Sequence, residues 1–286
     1  MTEAVLRLRG RAIPEFLQGQ LTCDTRKVTP ETAVAGAFCS PKGRVITDLV
    51  VIQLDEDQCL LRLSADLSTD VATALGRYAQ FSRIGVAVDE QTKVFGLLAP
   101  ARRGDNARGD AGLPGAVATV DGGIVLKRTD SADEYISLEG DLPGGFDGGD
   151  GEVSEALWQG EILRSGHFRV TRKETGAFTP QALNYDETGR VAFDKGCYTG
   201  QEVVARLHYK GQSKKRIRVY TGSRALLETG LVELLDEAGA NAGKILRALP
   251  TRDGNAAFAC EVPLAHFDQQ LRVDGSDATL QPLATS

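Results

Sequence analysis

The sequence predicts an α+β protein with a separate C-terminal part made of strands, and three observations support this fold class. The chain has 286 residues, enough for about two domains. Its first 210 or so residues mix apolar strands with segments of helical periodicity. From about residue 213, short strands recur between Gly, Asn and Asp turns, as in a small β-barrel or sandwich. We therefore predict one domain over 1–212 and another over 213–286.

The clearest elements of the first part are a hairpin and a helix. "RVITDLVVIQL" and "QCLLRLSA" are apolar, β-branched runs around an acidic turn, which predicts two antiparallel strands. "DLSTDVATALGRYAQF" follows, and its apolar residues recur at helical spacing. The side chains predicted to face the core are those of Leu67, Val71, Leu75 and Tyr78.

A second helix and a long loop complete the first part. "VSEALWQGEILRSGHF" has helical periodicity, and Ser154 stands where an N-cap is expected. Residues 169–196 then show little regular pattern. Loops of this length inside compact domains often bind ligands. We therefore expect a functional site near the end of this segment.

The composition is that of an ordinary soluble protein, with 42% hydrophobic and 25% charged residues. No window approaches the roughly 18 apolar residues of a membrane span, and the N-terminus does not resemble a signal peptide. We expect a cytoplasmic protein without membrane contact. The net charge of −6 does not favour binding of nucleic acid by the surface as a whole.

The five cysteines are scattered and include no CxxC pair. A disulfide framework or a zinc site is therefore not expected. Three histidines without an HExxH pattern do not indicate a dedicated metal site either. We predict no resident metal. Cys59 and Cys260 lie within strand patterns and are expected in the core.

Cys197 is the cysteine whose surroundings indicate chemistry. It lies in "FDKGCYTGQEVVARLHYKG" (193–211), between Gly196 and Gly200, and this spacing indicates a sharply bent backbone. Lys195 and a helix starting near Gly200 would both favour the thiolate. The alternative is a buried small hydrophobe. A protease nucleophile is disfavoured because His167 and His208 fit no known pattern, and one thiolate alone cannot hold an iron–sulfur cluster.

A basic stretch follows this cysteine. Between Arg206 and Arg218 there are six basic residues and no acidic one. Such a stripe could attract an anionic ligand or a phosphate backbone, or it could be a strand edge protected by lysines. Its members are Arg206, Lys210, Lys214, Lys215, Arg216 and Arg218.

The segment "KGCYTGQE" (195–202) resembles the signature of the YgfZ family, the bacterial folate-binding proteins of iron–sulfur cluster assembly and repair. Other segments resemble that family in the same order. The resemblance extends from residue 1 to about 210, whereas the C-terminal strands match only by pattern. The further matching segments are "FLQGQLTCD" (16–24), "SPKGRVITDL" (40–49), "RYAQFSRIGV" (77–86) and "FTPQALN" (178–184).

This resemblance implies a fold similar to the T-protein of the glycine cleavage system, with α+β domains around a folate channel and a C-terminal β-barrel. It implies tetrahydrofolate or a related folate as ligand, with Cys197 as a functional thiol assisted by Lys195. The implied partners are iron–sulfur client enzymes or cluster-assembly proteins, including tRNA-modifying enzymes, and tRNA itself through the Arg206–Arg218 stripe. The implied folate contacts are Asp48, Gln181, Gly196, Tyr198, Gly200, Gln201, Glu202 and Arg206.

Two alternatives to an accessory factor for iron–sulfur proteins remain at this point. One is a tetrahydrofolate-dependent aminomethyltransferase, and the other is a folate- or tRNA-binding module in which Cys197 is structural. T-proteins carry paired aspartates where this chain has Thr47-Asp48, and a glutamate where it has Arg164. Because aminomethyl transfer requires carboxylates at the amine nitrogen, these departures argue against that reaction.

Overall fold

The computed structural model of the chain describes residues 2–98, 115–120, 122–129, 132–142 and 153–283. These residues form two compact units. Unit 1 comprises the described residues up to 142 and Arg169–Gly211, and unit 2 comprises 153–168 and 212–283. Unit 2 thus includes a segment, 153–168, that the sequence analysis assigned to the first domain.

The first sheet of unit 1 has five strands. The predicted hairpin is confirmed: its two strands pair antiparallel, and the turn is fixed by a 2.9 Å hydrogen bond from the Asp57 amide to Asp55 Oδ1. Its strands are almost entirely buried, which explains their near-continuous apolar sequence. The order is β2-β3-β4-β1-β5, with β1 (Glu3–Arg9), β2 (Val34–Cys39), β3 (Val45–Asp55), β4 (Gln58–Ser64) and β5 (Gly85–Val88).

A second antiparallel sheet packs against the first within unit 1. The core between them joins Val5, Ile52 and Leu60 of the first sheet to Ile124 and Ile136 of the second. The order of the second sheet is β6-β9-β8-β7, with β6 (Lys93–Leu98), β7 (Val117–Val120), β8 (Gly123–Lys127) and β9 (Ala132–Ser137).

Four α-helices accompany the strands in the described ranges: α1 (Ile13–Gln18), α2 (Ser68–Ala79), α3 (Glu155–Arg164) and α4 (Gln201–Lys210). Helix α2 packs on β1 and β5. Its core face continues from Leu75 to Ala79, at four-residue spacing, so Tyr78 turns outward and is 49% exposed. The prediction that Tyr78 faces the core was therefore wrong. The predicted cap of α3 is confirmed, since Ser154 Oγ accepts a hydrogen bond from the Leu157 amide.

The long segment 169–200 is irregular, as predicted, apart from a 3₁₀ turn at Gln181–Leu183. Its backbone is nevertheless bonded to the strands and loops of unit 1. The Gly176 amide donates to Val45 O at 2.8 Å, and the Val45 amide donates to Phe178 O at 2.9 Å. The Ala192 amide donates to Thr22 O at 2.9 Å. These bonds hold the loop in place without regular secondary structure of its own.

Unit 2 is a closed barrel with α3 packed against it. The sequence was consistent with either a barrel or a sandwich. In the structure the six strands β10 to β15 form a closed ring, so unit 2 is a barrel. Cys260 lies in its core, as predicted. Gly160 of α3 approaches Pro250 O so closely that a Cβ would collide with it. The order is β10-β13-β12-β11-β14-β15, with β10 (Lys215–Ser223), β11 (Glu233–Leu235), β12 (Asn241–Pro250), β13 (Asn255–Pro263), β14 (Leu271–Val273) and β15 (Thr279–Pro282).

A buried ion-pair network links the two sheets of unit 1. Arg62 of β4 donates to Glu3 of β1, at 2.7 Å, and to Glu134 of β9. Arg128 donates to both oxygens of Glu134 at 3.1 Å, and Arg169 donates to Glu3. Burial raises the pKa of Glu3 to about 6 and lowers that of Arg128 to about 10. At Glu134 burial acts to raise the pKa, but Arg128 and Arg62 outweigh it and the pKa is lowered.

Candidate functional site

Cys197 is the exposed cysteine of the chain; the other four are buried. Burial raises the pKa of the Cys23 thiol to about 11 and those of Cys39 and Cys59 to about 12. It also raises the pKa of Cys260. Thiolates are the reactive form of cysteine, so burial makes these four thiols poor nucleophiles at neutral pH. Solvent access therefore separates Cys197 from every other thiol of the protein.

Lys195 holds the loop that carries Cys197. Its ammonium donates to three backbone carbonyls, Gln18 O at 2.8 Å and Leu21 O and Cys23 O at 2.7 Å. An ammonium has three N–H donors, so all of them are engaged. Lys195 therefore has no donor left for a Cys197 thiolate. The sequence predicted that Lys195 would favour the thiolate, whereas in the structure its ammonium holds the 18–23 segment.

Lys195 is itself buried. Burial lowers its pKa to about 8. Its Nζ lies 5.1 Å from the centre of the Tyr198 ring, a cation–π contact. Tyr198 is itself buried, and burial raises the pKa of its hydroxyl. Lys195 and Tyr198, two of the predicted site residues, are therefore in contact, and Lys195 ties their loop to residues 18–23.

The two glycines beside Cys197 have different roles. Gly200 is the N-cap of α4 with φ +84°, in the left-handed region that glycine favours. A Cβ there would collide with Ser40 O and lie 3.1 Å from the Gly43 backbone. Gly196 has no heavy atom within 4 Å of such a Cβ. Close packing against the 40–43 turn thus requires glycine at 200 but not at 196.

We expect Gly200→Ala to destabilise unit 1 by about 1–3 kcal/mol, because it adds both backbone strain and a steric collision. Gly196→Ala is the matched control, four residues away in the same loop, and should change stability by about 0.5 kcal/mol or less. Urea denaturation, monitored by circular dichroism, measures the stability of both variants. Equal midpoints for the two variants would contradict the assigned role of Gly200.

Asp48 is buried in unit 1, and both oxygens of its carboxylate interact with other residues of the protein. Its Oδ1 accepts a 2.8 Å hydrogen bond from the Val170 amide, and Oδ2 lies 3.5 Å from Arg190 Nη1. The preceding Thr47 hydroxyl donates to Asp48 O. Each carboxylate oxygen of Asp48 therefore already has one partner, and a pterin would have to bond to the remaining lone pairs of a side chain that is buried.

The remaining predicted contacts lie on or against α4. Gln181 is buried; its Nε2 donates to Val204 O at 2.8 Å, and its Oε1 has no hydrogen-bond partner in the part of unit 1 that is described. Gln201 is half-buried at the start of the helix. Glu202 and Arg206 are exposed. The structure thus joins Gln181 to α4 but places the side chains of Glu202 and Arg206 toward solvent.

Arg190, which the sequence analysis missed, is the cation that faces Asp48. It is buried, and its guanidinium also lies 5.1 Å from the Tyr185 ring centre. It belongs to the irregular 169–200 segment, where no periodicity indicates which side chains turn inward. A basic residue between loop glycines gives no local sign of burial.

The members of the Arg206–Arg218 stripe have different environments. Arg206 and Lys210 are exposed on α4 in unit 1, and Lys214 and Lys215 are exposed in unit 2. Arg218 is buried in unit 2, where it donates to Phe267 O at 3.1 Å and to Asp268 at 3.0 Å. Arg218 therefore contributes to the packing of unit 2 and not to an exposed basic surface.

The described ranges contain neither a metal-binding cluster nor a membrane-spanning helix. Nowhere among them do three or more His, Cys, Asp or Glu side chains gather as a metal ion would require. Their helices fall short of the length and hydrophobicity that crossing a bilayer requires.

Comparison with known proteins gives relatives over most of the chain, although no family model matches. The chain is 29% identical to the tRNA-modifying protein YgfZ of Vibrio atlanticus over 256 residues, 87% of this chain and 78% of that protein. It is 26% identical to the protein of the same name from Escherichia coli (strain SMS-3-5) over 262 residues, 88% and 80% of the two chains. The predicted resemblance to the YgfZ family is confirmed.

Among solved structures, the chain is similar to the glycine cleavage system aminomethyltransferase T from Bartonella henselae. The TM-score is 0.73 at 15% sequence identity, covering 99% of this chain and 83% of that one. At this identity the similarity concerns the fold. It confirms the predicted fold class, an α+β part followed by a β-barrel.

Proposed function

We propose that this relative of the YgfZ proteins is an accessory factor in tRNA modification, which binds a folate in unit 1 and presents the Cys197 thiol to iron–sulfur proteins. The role in tRNA modification follows the name of the relatives. The folate and the iron–sulfur partners follow from the family resemblance of the 195–202 segment.

The observation that carries this proposal is the exposed thiol on an anchored loop. Cys197 is open to solvent while the protein buries its four other thiols. Lys195 fixes the loop through three carbonyls two residues before it, and Gly200 fixes it three residues after. A thiol presented in this way can meet a partner protein without unfolding of its own domain.

The residues of unit 1 fit a folate in part. Gln181 Oε1 is a buried acceptor without a partner among the described residues, which suits an N–H donor of a pterin. Asp48 is buried and already meets Val170 and Arg190, so a folate would have to share its carboxylate with them. The resemblance of the sequence to the YgfZ family and the T-protein, which implies a tetrahydrofolate ligand, also favours a folate. We assign no chemical step to the folate.

The structure gives no support to aminomethyl transfer as an alternative. Thr47, at the first position of the paired aspartates, is buried and uses its hydroxyl on the Asp48 carbonyl. Arg164, at the position of the glutamate, lies 3.7 Å from both Glu161 and Asp253 in unit 2. Neither side chain can act as a carboxylate base or orienting group.

Cys197→Ser should abolish function in cells while leaving the fold and folate binding intact. The exposed thiol contributes little to packing, so thermal unfolding should change little. A folate at 100 times its dissociation constant should stabilise the wild type and the variant alike by about 2.7 kcal/mol. The measurement is complementation of a bacterial strain that lacks its own YgfZ-type gene, read as the activity of a cluster-dependent tRNA-modifying enzyme.

Glu56→Ala, at the exposed turn between β3 and β4 and outside the predicted site residues, is the control and should complement fully. Full complementation by Cys197→Ser would contradict the proposal that the Cys197 thiol is functional. If tetrahydrofolate does not raise the unfolding temperature of the wild type, the protein does not bind folate as proposed.

A further inference from the structure

Three rings form a cluster at the C-terminal end of α4, here called the aromatic cluster: Phe193, His208 and Tyr209. The rings of Phe193 and His208 are stacked, with centroids 3.7 Å apart and an interplanar angle of 14°. Tyr209 meets both edge-on, at 6.3 Å from Phe193 and 4.8 Å from His208. The contacts hold the rings in defined orientations.

The aromatic cluster faces solvent. Tyr209 is 68% exposed, His208 is exposed, and Phe193 is half-buried beneath them. Val203, on the same helix, is 40% exposed. The exposed tyrosine held against two neighbouring rings is the feature of this helix that indicates a binding surface, because isolated exposed apolar side chains are common.

Two cations accompany the aromatic cluster. Arg206 and Lys210 are exposed on α4: Arg206 lies three residues from both Val203 and Tyr209, a spacing that brings side chains together on a helix surface, and Lys210 follows Arg206 by four residues. Neither has an ion-pair partner in the described part of the chain. Two exposed acidic residues are close in sequence to these groups: Glu202, four residues before Arg206, and Asp194, next to Phe193.

The helix dipole accounts for only part of this arrangement. Cations in the last turn, such as Lys210, are favoured by the partial negative charge of a helix C-terminus. That effect requires no aromatic rings and no cation at Arg206, one turn earlier. An exposed tyrosine ring on the same helix as exposed guanidinium and ammonium groups matches a ligand with both planar bases and phosphates.

We infer that the aromatic cluster, with Arg206 and Lys210, binds the unpaired bases of a single-stranded RNA loop. Tyr209 and His208 stack on the bases, and the two cations meet the phosphates. Double-stranded RNA does not fit, because its bases are stacked on one another and unavailable to the rings. The choice of RNA rests on the proposed function in tRNA modification; the surface itself is independent of Cys197.

The test measures binding of a fluorescently labelled RNA hairpin with an unpaired loop, and of the same stem closed as a blunt duplex, by anisotropy. Tyr209→Ala should weaken hairpin binding by about 5- to 150-fold, the effect of losing one base stack. Tyr209→Phe should retain most of the affinity, because the ring remains. The matched control is Tyr78→Ala, an exposed tyrosine on α2 of the same unit, which should bind as the wild type does.

Salt dependence tests the two cations. Arg206→Gln and Lys210→Gln should each reduce the slope of log affinity against log salt by about 0.7, as expected for one phosphate contact on a single strand. Lys173→Gln, an exposed lysine in the irregular segment, is the control and should leave the slope unchanged.

Hairpin binding that is insensitive to Tyr209→Ala, or equal binding of hairpin and duplex, would overturn the inference. So would binding of an acidic polypeptide such as polyglutamate without binding of RNA, which would indicate a protein partner at this surface. Cys197→Ser should bind the hairpin normally. Failure of the functional-thiol proposal and failure of the RNA surface are therefore distinguishable.

Discussion

Lys195→Met should destabilise unit 1 by about 3–5 kcal/mol, one of the two largest effects expected for a single substitution in this protein. Methionine fills a similar volume but leaves Gln18 O, Leu21 O and Cys23 O without the ammonium that now meets all three. Buried acceptors that lose a charged donor cost more than the average hydrogen bond contributes. Urea denaturation gives the free energy, and hydrogen exchange should show loss of amide protection in residues 18–24 and 195–200.

Lys173→Met is the matched control, because Lys173 is exposed in the same irregular segment. It should change stability by about 0.5 kcal/mol or less. Lys195→Arg should fall between the two, since a planar guanidinium cannot direct three donors from one point as an ammonium does. If Lys195→Met unfolds at the same urea concentration as Lys173→Met, the three carbonyl bonds do not anchor the loop.

Glu134→Ala should destabilise unit 1 by about 3–5 kcal/mol, for a different physical reason. Glu134 is fully buried and is the shared partner of Arg62 and Arg128. Its removal leaves buried guanidinium charge without compensation, and burial of an unpaired charge is far more costly than loss of an exposed ion pair. Thermal or urea unfolding measures the loss.

Glu56→Ala, at the exposed hairpin turn, is the control and should have little effect. The double variant Glu134→Met/Arg128→Met is the decisive comparison. It removes one charge of each sign and fills the space with apolar atoms, so it should be more stable than Glu134→Met alone. A double variant as unstable as the sum of its single substitutions would show that the network's charges are not coupled.

Local pattern was enough to predict several elements. The hairpin of β3 and β4, the Ser154 cap of α3 and the irregular 169–200 segment depend on alternation, capping and missing periodicity, which are properties of neighbouring residues. Tyr78 shows the limit of this approach. Spacings of three and four are both helical, and only packing of α2 on the sheet decided that Ala79 is inside.

The association of α3 with the barrel could not be predicted from sequence. Helix α3 precedes the irregular segment in the chain, yet it packs on β12 and β13, where Gly160 permits contact with Pro250. Amphipathic periodicity shows that a helix has a buried face, but not which distant surface covers it. Long-range packing is set by complementary shape, which no short window of sequence contains.

For the candidate site, the sequence alone determined the unusual position of Cys197 between two glycines and the absence of other reactive-cysteine patterns. Only the tertiary structure decided that Lys195 binds carbonyls of the 18–23 segment and that Asp48 faces Arg190. It also brought Phe193 onto His208. The physical reason is the same in each case. Backbone carbonyls are identical at every residue, and loop side chains have no periodicity. Their partners are therefore defined only by the folded structure.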